Sequence, residues 1–328
     1  MKMSIKVKPP INKQRFVING QTMGTRFCAI FFADINYDAK LLADELQACV
    51  DKVDAEMSNF KPESDLSRFN NSACDIWVEM PKNLLYVVNE AMKISQISNG
   101  SFDISVGDIV NAWGFGAANN QPDEKSIATV AIGNRPNILE HLDIDFDLKR
   151  MRKTQAMTLD LCGIAKGFGV DELAKVMTDA GTENFLVSID GEMRAAGHKP
   201  DEENWSIAVE KPLKVQRDVS HLLTLCNESI ATSGDYRHLR SFANRQVSHT
   251  ISQHKAAPLD NNITSLSVIM PTCLLADAWA TALMVMGFET ALEFANRHEM
   301  EVLFMLHKNG YFVEFGTGRF DKTDNHAG

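Results

Sequence analysis

The 328-residue sequence has no run of about 18 apolar residues and no CxxC pair. The first absence excludes a transmembrane helix, and the second removes the usual spacing of zinc and dithiol sites. Basic residues are also in deficit, because 33 Lys and Arg stand against 43 Asp and Glu, a net charge of −10. Such a charge opposes nucleic acid and anionic membranes, so we predict no nucleic-acid partner and expect local groups to hold any anionic ligand.

The cysteines are far apart in the sequence and mostly have apolar neighbours, which predicts free, buried thiols in a reducing compartment. A structural disulfide is the alternative. The six residues are Cys28, Cys49, Cys74, Cys162, Cys226 and Cys273. The charged N-terminus, "MKMSIKVKPPINKQRF", lacks the apolar segment of a signal peptide, so we expect a cytoplasmic protein. If a signal peptide has been removed, the alternative is a periplasmic or membrane-anchored protein.

The order of elements favours a single α+β domain. A hydrophobic fraction of 45% and a charged fraction of 23% are typical of a soluble globular chain, and neither a repeat nor a long linker divides it. We predict a flexible extension over residues 1–15 and one domain over 16–328. Apolar spacing predicts helices over residues 37–57, 81–98, 273–286 and 289–297. Strand pairs are predicted around Gly20, between residues 125 and 158, and around residues 309–310.

The stretch "LDLCGIAKGFGVDELAKV", residues 159–176, has the pattern of a strand, a glycine-rich turn and a helix that receives a phosphate. It is not a P-loop, since Lys166 precedes Gly167 and no Ser or Thr follows the lysine. It is not a dinucleotide fingerprint either, because Glu172 occupies the place of the third glycine. Glycines would still allow close backbone approach to a ligand at the helix N-terminus. The alternative is a tight strand-to-helix turn with an exposed lysine.

"ADAWATALMVMG", residues 276–287, places Asp277 and Thr281 four residues apart on one face of an apolar helix. A buried carboxylate is costly unless it is paired, which favours a cation nearby. A carboxylate and a hydroxyl are oxygen ligands that suit Mg²⁺. The alternative is that Asp277 caps the helix and Thr281 bonds to its own preceding turn.

His249 lies in a strand-like segment, "RQVSHTISQHKAAP", flanked by Ser and Thr. Its ordinary pKa range suits a general base that takes a proton from a hydroxyl. A structural histidine is the alternative, and the pairing with His254 does not have the spacing of a zinc site.

Taken in order, seven segments resemble the ApbE family of FAD:protein FMN transferases. They are "MGT" (23–25), "MSNFKPESDLSRFN" (57–70), "GSFDISVGDIVNAWGFG" (100–116), "DLCGIAKGFGVD" (160–171), "ATSGDYR" (231–237), "SHTI" (248–251) and "ADAWATALMVMG" (276–287). The resemblance implies a single T-fold-like α+β domain with mixed and antiparallel sheets, flanking helices and long ligand-binding loops.

The resemblance also implies a site and a reaction. The metal, Mg²⁺, would be held by the carbonyl of Gly163 and the side chains of Asp277 and Thr281. The FAD site would comprise Met23, Phe60, Ser101, Phe102, Asp103, Asp160, Lys166 and Ile251. The catalytic residues would be His249, Asp277 and Lys166. FMN would pass from FAD, the substrate, to a Thr or Ser hydroxyl of a respiratory or reductase flavoprotein, and AMP would leave.

The sequence departs from the family pattern after "SHTI", where Ser252 stands at a position that is commonly Asp. This departure puts the catalytic rate in question and leaves the implied metal ligands untouched. Two alternatives accompany the transferase hypothesis: an FAD pyrophosphatase that releases FMN and AMP, and, if the change at Ser252 is disabling, a non-catalytic FAD-binding or flavin-delivery protein.

Overall fold

An eight-stranded antiparallel sheet forms the centre of the computed structural model, which describes residues 13–117, 121–132, 135–212, 219–234, 239–242, 245–308 and 311–321. The strands are β1 Lys13–Thr22, β2 Thr25–Asp34, β3 Val78–Glu79, β4 Leu142–Asp145, β5 Arg150–Lys153, β6 Phe185–Ile189, β7 Glu192–Ala196, β8 Trp205–Glu210, β9 Val219–Leu225, β10 Ser229–Gly234, β11 Leu239–Phe242, β12 Arg245–Ser248, β13 Ile251–Ser252, β14 Ala257–Pro258, β15 Ile263–Met270, β16 Glu301–Lys308 and β17 Tyr311–Gly316. The large sheet has the order β1-β2-β6-β7-β10-β15-β16-β17.

Helices cover one face of this sheet. They are α1 Lys40–Met57, α2 Asp65–Asn70, α3 Lys82–Ile97, α4 Gly107–Ala112, α5 Glu124–Ile132, α6 Ile138–His141, α7 Ala165–Asp179, α8 Cys273–Met286 and α9 Phe288–Arg297, and a 3₁₀ turn follows at Gly318–Phe320. Within the described residues, no helix combines the length and the apolar character needed to cross a membrane.

The alternation of side chains along β2 explains the layers. Phe27, Ala29 and Phe31 are buried on the face that packs against α1 and α7. Ile30 and Phe32 point to the other face, where the β8–β9 hairpin covers the sheet. Successive strand residues alternate between faces, so one strand contributes to both cores.

All four predicted helices are confirmed, with shifts of at most three residues at their ends. Two predictions were wrong in detail. The first hairpin turns at Met23 and Gly24, which have φ of 47° and 71°, and Gly20 lies inside β1. The region 125–158 contains not only strands but also α5 and α6, and the side chain of Asn137 caps the start of α6. Residues 309–310, the predicted last turn, lie outside the described residues.

The N-terminal residues and the cysteines differ in part from the predictions. Residues 1–12 of the predicted extension are outside the described residues, and 13–15 belong to β1. All six cysteines are free, so the disulfide alternative is wrong. Their predicted burial is wrong for all but Cys273: Cys162 is exposed and the other four are half-buried.

Candidate active site

The start of α7 packs directly against α8, and this contact explains Gly167. A Cβ at Gly167 would lie 2.3 Å from the carbonyl oxygen of Cys273 and 2.8 Å from Cβ of Asp277. The Gly167 N–H donates a hydrogen bond of 2.9 Å to Asp277 Oδ2. The absence of a side chain at Gly167 therefore allows α7 and α8 to come into close contact. The prediction of a strand followed by a glycine turn was wrong, since Gly167 and Gly169 lie inside α7.

The three predicted metal ligands converge at this contact. A Cβ built on Gly163 would lie 3.0 Å from Thr281 Oγ1 and 3.4 Å from Cε2 of Phe102. Asp277 is buried one helical turn before Thr281 on α8. Thr281 Oγ1 also lies 3.4 Å from the Ser233 hydroxyl. The loop before α7 thus lies against the face of α8 that carries Asp277 and Thr281, and their role as metal ligands stays a prediction.

Lys166 and Asp277 form an acid–lysine cluster with Glu192, a residue to which the sequence gave no role. Glu192 begins β7 and accepts a hydrogen bond from Lys166 Nζ at 2.5 Å. Burial alone would lower the pKa of Lys166, but the carboxylates of Glu192 and Asp277 raise it above its usual value. Burial and the negative charge of Glu192 raise the pKa of Asp277, while Lys166 and the Gly167 N–H act in the opposite direction. The sequence did contain a signal that could have pointed to Glu192, because this acidic residue follows a largely apolar strand and an Asp-Gly turn.

Asp171, in the next turn of α7, caps the N-terminus of α8. Its carboxylate accepts hydrogen bonds from the N–H groups of Cys273 at 3.0 Å and Leu274 at 2.9 Å. It also pairs with Arg194 of β7. A carboxylate at a helix N-terminus satisfies N–H groups that have no partner within the helix. Asp171 therefore fixes α8, and with it Asp277, relative to α7.

A cavity of about 320 Å³ lies beside the loop that leads to α7. Its wall is rich in asparagine and comprises Asn59, Phe60, Pro62, Ser67, Asn70, Asn71, Gly107, Asn111, Gly116, Ala117, Thr158, Leu159 and Asp160. Two residues of the predicted FAD site are in this wall: Phe60, which is 60% exposed, and Asp160, which is buried. The asparagines were not predicted. We call this space the asparagine-lined cavity.

Two polar contacts shape the cavity wall. The Asn70 side chain donates to Leu159 O at 2.9 Å and accepts from Leu159 N–H at 2.8 Å. Asp160 Oδ1 accepts from the Cys162 N–H at 2.8 Å, and burial raises the pKa of this carboxyl against the effect of that bond. These bonds hold the segment 159–162 between the cavity and Gly163.

The predicted triplet 101–103 lies between α3 and α4. The Ser101 N–H bonds to the Ser98 carbonyl, and the buried Phe102 bonds through its N–H to the Ser98 hydroxyl at 3.0 Å. Asp103 accepts from the Ser105 N–H at 2.6 Å, and burial raises its pKa despite this bond. Of the three, Phe102 is the one whose side chain lies near Gly163.

The remaining predicted residues come from two separate segments, the first hairpin turn and residues 249–251. The Met23 methyl lies 3.3 Å from the position of a Cβ on Gly169, so the first hairpin turn reaches α7. Ile251 is buried beside Ile109. The His249 ring lies 6.5 Å from that of Phe115, and its role as a base stays a prediction.

Comparison with known proteins identifies the family to which this chain belongs. The sequence model of the ApbE family matches residues 23–304, so the chain belongs to the ApbE family. It is 33% identical over 308 residues to an FAD:protein FMN transferase of Vibrio cholerae, covering 92% of this chain and 91% of the relative. The corresponding enzyme of Haemophilus influenzae is 30% identical over 312 residues, with 93% and 90% covered.

Solved structures show the same fold. The flavin transferase ApbE of Vibrio cholerae superposes with a TM-score of 0.82 at 33% identity, covering 94% of this chain and 98% of that one. The apo form of the Pseudomonas stutzeri flavinyl transferase ApbE gives 0.84 at 29% identity, with 96% and 98% covered. The predicted α+β class with antiparallel sheets and flanking helices is therefore confirmed.

Proposed function

We propose that this protein transfers FMN from FAD to a Thr or Ser hydroxyl of an acceptor protein, in a Mg²⁺-dependent reaction that releases AMP. The observation that carries the proposal is the convergence of Gly163, Asp277 and Thr281 with Lys166 beside them. Relatives that align with nearly the whole chain also support the proposal, because they are named FAD:protein FMN transferase.

The residues present fit a magnesium ion. All three proposed ligands offer oxygen: the carbonyl of Gly163, the carboxylate of Asp277 and the hydroxyl of Thr281. The described residues contain no group of three or more His, Cys, Asp and Glu that could hold a metal, so the site would depend on one carboxylate and on oxygens of the substrate. When bound, Mg²⁺ would neutralise developing negative charge on the pyrophosphate of FAD.

The chain itself would bind and orient the substrate. Lys166, held by Glu192, would present a cation to the pyrophosphate, and the loop 159–163 would connect that point to the asparagine-lined cavity. Phe60, exposed at the edge of that cavity, would contact an aromatic ring of FAD.

The proposed proton acceptor is His249. The hydroxyl oxygen of the target Thr or Ser forms a bond to the FMN phosphorus as the bond between that phosphorus and the AMP oxygen breaks. AMP leaves with the electron pair of that bond, and His249 takes the hydroxyl proton. Ser252, where the family commonly has Asp, is buried, and its hydroxyl accepts a hydrogen bond from the Lys255 N–H at 3.4 Å. We therefore assign the base to His249 alone.

The test uses the purified protein with FAD, Mg²⁺ and a flavin-acceptor domain of a respiratory or reductase flavoprotein. We expect fluorescent flavin on the acceptor after denaturing electrophoresis, and none on an acceptor whose target Thr or Ser is replaced by Ala. AMP formed without an acceptor would indicate a pyrophosphatase, and neither product would indicate a flavin-binding protein.

A variant of the proposed base separates chemistry from binding. His249→Ala should slow transfer by on the order of 10²-fold while FAD affinity changes little. Full transfer by this variant would remove His249 from the mechanism. The cytoplasmic location and the identity of the acceptor stay predictions.

A further inference from the structure

Glu192 occupies an unusual position for a carboxylate. It follows the two-residue turn of Asp190 and Gly191 and pairs across that turn with Ile189, the last residue of β6. Its side chain is almost completely buried, with 2% of the residue exposed. Oε1 accepts from Lys166 Nζ at 2.5 Å, whereas buried Oε2 has no hydrogen-bond partner in the part of the chain that the structure describes.

Folding stability does not account for this arrangement. Removing a charged pair from water carries a large free-energy penalty, and apolar residues of similar volume are often at least as stabilising. Here Asp277 is a second buried acid, and its carboxylate repels that of Glu192 because both face the same lysine. An oxygen left without a partner increases the penalty further.

Lys166 is the residue that gains from Glu192. A lysine side chain has four rotatable carbon–carbon bonds and loses about 2 kcal/mol of conformational free energy when its end is fixed. The contact with Glu192 joins α7 to β7 and leaves the Lys166 side chain 30% exposed. The ammonium group is therefore fixed by a buried partner while part of the side chain stays accessible to a ligand.

We propose that Glu192 is a positioning residue for FMN transfer, which holds Lys166 Nζ beside Asp277 where the pyrophosphate of FAD binds. The inference rests on the proposed function, because it assigns Glu192 an effect on transfer through Lys166. It makes no use of a direct contact between Glu192 and the substrate.

A double-mutant cycle tests this proposal. Glu192→Leu, Lys166→Met and the double variant are compared for transfer over a range of FAD concentrations at saturating Mg²⁺. Glu192→Leu should lower kcat by roughly 10- to 100-fold and change KM for FAD less than about threefold, because the cation is still present but is no longer oriented. In the Lys166→Met background, Glu192→Leu should have no further effect. Glu192→Gln, which keeps an acceptor atom, should retain more activity than Glu192→Leu.

Thermal unfolding of the metal-free protein without FAD gives a readout independent of activity. Lys166→Met should lower Tm, because it leaves the buried Glu192 carboxylate without its partner. Adding Glu192→Leu to Lys166→Met should restore Tm. A purely structural Glu192 predicts the opposite pattern, in which Glu192→Leu alone lowers Tm and activity together.

Glu56→Gln is the matched control. Glu56 is also a buried glutamate with a nearby lysine and an Oε2 that has no partner in the described residues, and this variant should transfer at the wild-type rate. The proposal is overturned if Glu192→Leu keeps the wild-type kcat, or if its effect multiplies with that of Lys166→Met. A wild-type protein without transfer would overturn the proposed function as well, whereas an active wild type with an unaffected Glu192 variant overturns only this inference.

Discussion

Two buried glutamates in different parts of the molecule have contrasting surroundings. Glu192 joins β7 to α7 through a contact of 2.5 Å with Lys166, and the carboxylate of Asp277 lies on the neighbouring helix. Glu56 lies on α1, and its lysine, Lys52, is 3.8 Å away on the same helix and mostly exposed. Burial of a carboxylate is thus common to both regions. What distinguishes the candidate site is that its carboxylate is in direct hydrogen-bond contact with a lysine of a different element.

The largest expected effect follows from removing the carboxylate at the centre of the site. Asp277→Ala should reduce Mg²⁺-dependent transfer by on the order of 10³-fold, because it removes the only carboxylate among the proposed metal ligands. The measurement is the rate of flavin fluorescence appearing on the acceptor as a function of Mg²⁺ concentration. Asp179→Ala, at the exposed end of α7, is the control and should leave the rate unchanged. Undiminished transfer by Asp277→Ala would show that the charged groups around Glu192 matter no more for transfer than those around Glu56.

Gly167→Ala tests whether the contact of α7 with α8 holds the site together. The added methyl group would overlap the Cys273 carbonyl oxygen, so we expect a loss of about 3 kcal/mol in the free energy of unfolding and reduced transfer. Urea unfolding measures the first effect. Gly191→Ala, whose added Cβ has no atom within 4 Å, should change the free energy by less than about 0.5 kcal/mol. Equal effects of the two substitutions would contradict the close packing at Gly167.

Asp171→Ala should weaken the same contact by a smaller amount. It removes the acceptor for two N–H groups at the start of α8, and we expect a loss of about 1–2 kcal/mol in the free energy of unfolding. Asp171→Asn keeps one acceptor oxygen and should lose less. Urea unfolding of both variants checks the order, and an unchanged free energy in Asp171→Ala would show that α8 does not depend on this cap.

The smallest effect concerns Glu56. Burial raises the pKa of its carboxyl above the ordinary 4.5, against the effect of Lys52. The folded protein therefore keeps the proton to a higher pH than the unfolded chain, and stability decreases as pH rises from 4.5 through the raised pKa. Glu56→Gln removes this loss and should stabilise the protein by about 1 kcal/mol at pH 7.

The pH dependence separates this explanation from a general effect of the substitution. The difference in the free energy of unfolding between Glu56→Gln and the wild type should shrink as pH is lowered toward 4.5. A difference that stays constant across this range would show that ionisation of Glu56 is not its cause.

Elements with a strong local pattern could be predicted from the sequence. The apolar spacing of Leu42, Leu46, Val50 and Val53 gives α1, and the predicted bounds 273–286 of α8 match the structure. The i, i+4 spacing of Asp277 and Thr281 correctly placed both on one face of α8. These features depend on residues within a few positions of one another.

Features that depend on a partner distant in sequence were missed or misread. The glycines of residues 163–169 were interpreted as a phosphate turn, because no local pattern reveals that a Cβ at Gly167 would overlap Cys273. Glu192 received no role, since its partner Lys166 lies 26 residues away. The asparagines of the cavity wall were missed for the same reason, as they come from segments that only the fold brings together.

The sequence by itself determined the type and approximate bounds of the main elements, the family, and which side chains are candidates for the site. It could do so because helical and strand periodicity and short motifs are local properties of the chain. Only the tertiary structure decided how these side chains combine. The order of strands in the sheet places β7 next to β6 and β10, and the packing of α7 on α8 brings Gly167 to Asp277 across 110 residues. Burial of Glu192 and Asp277 then strengthens their interactions with Lys166, because water screens these two carboxylates less.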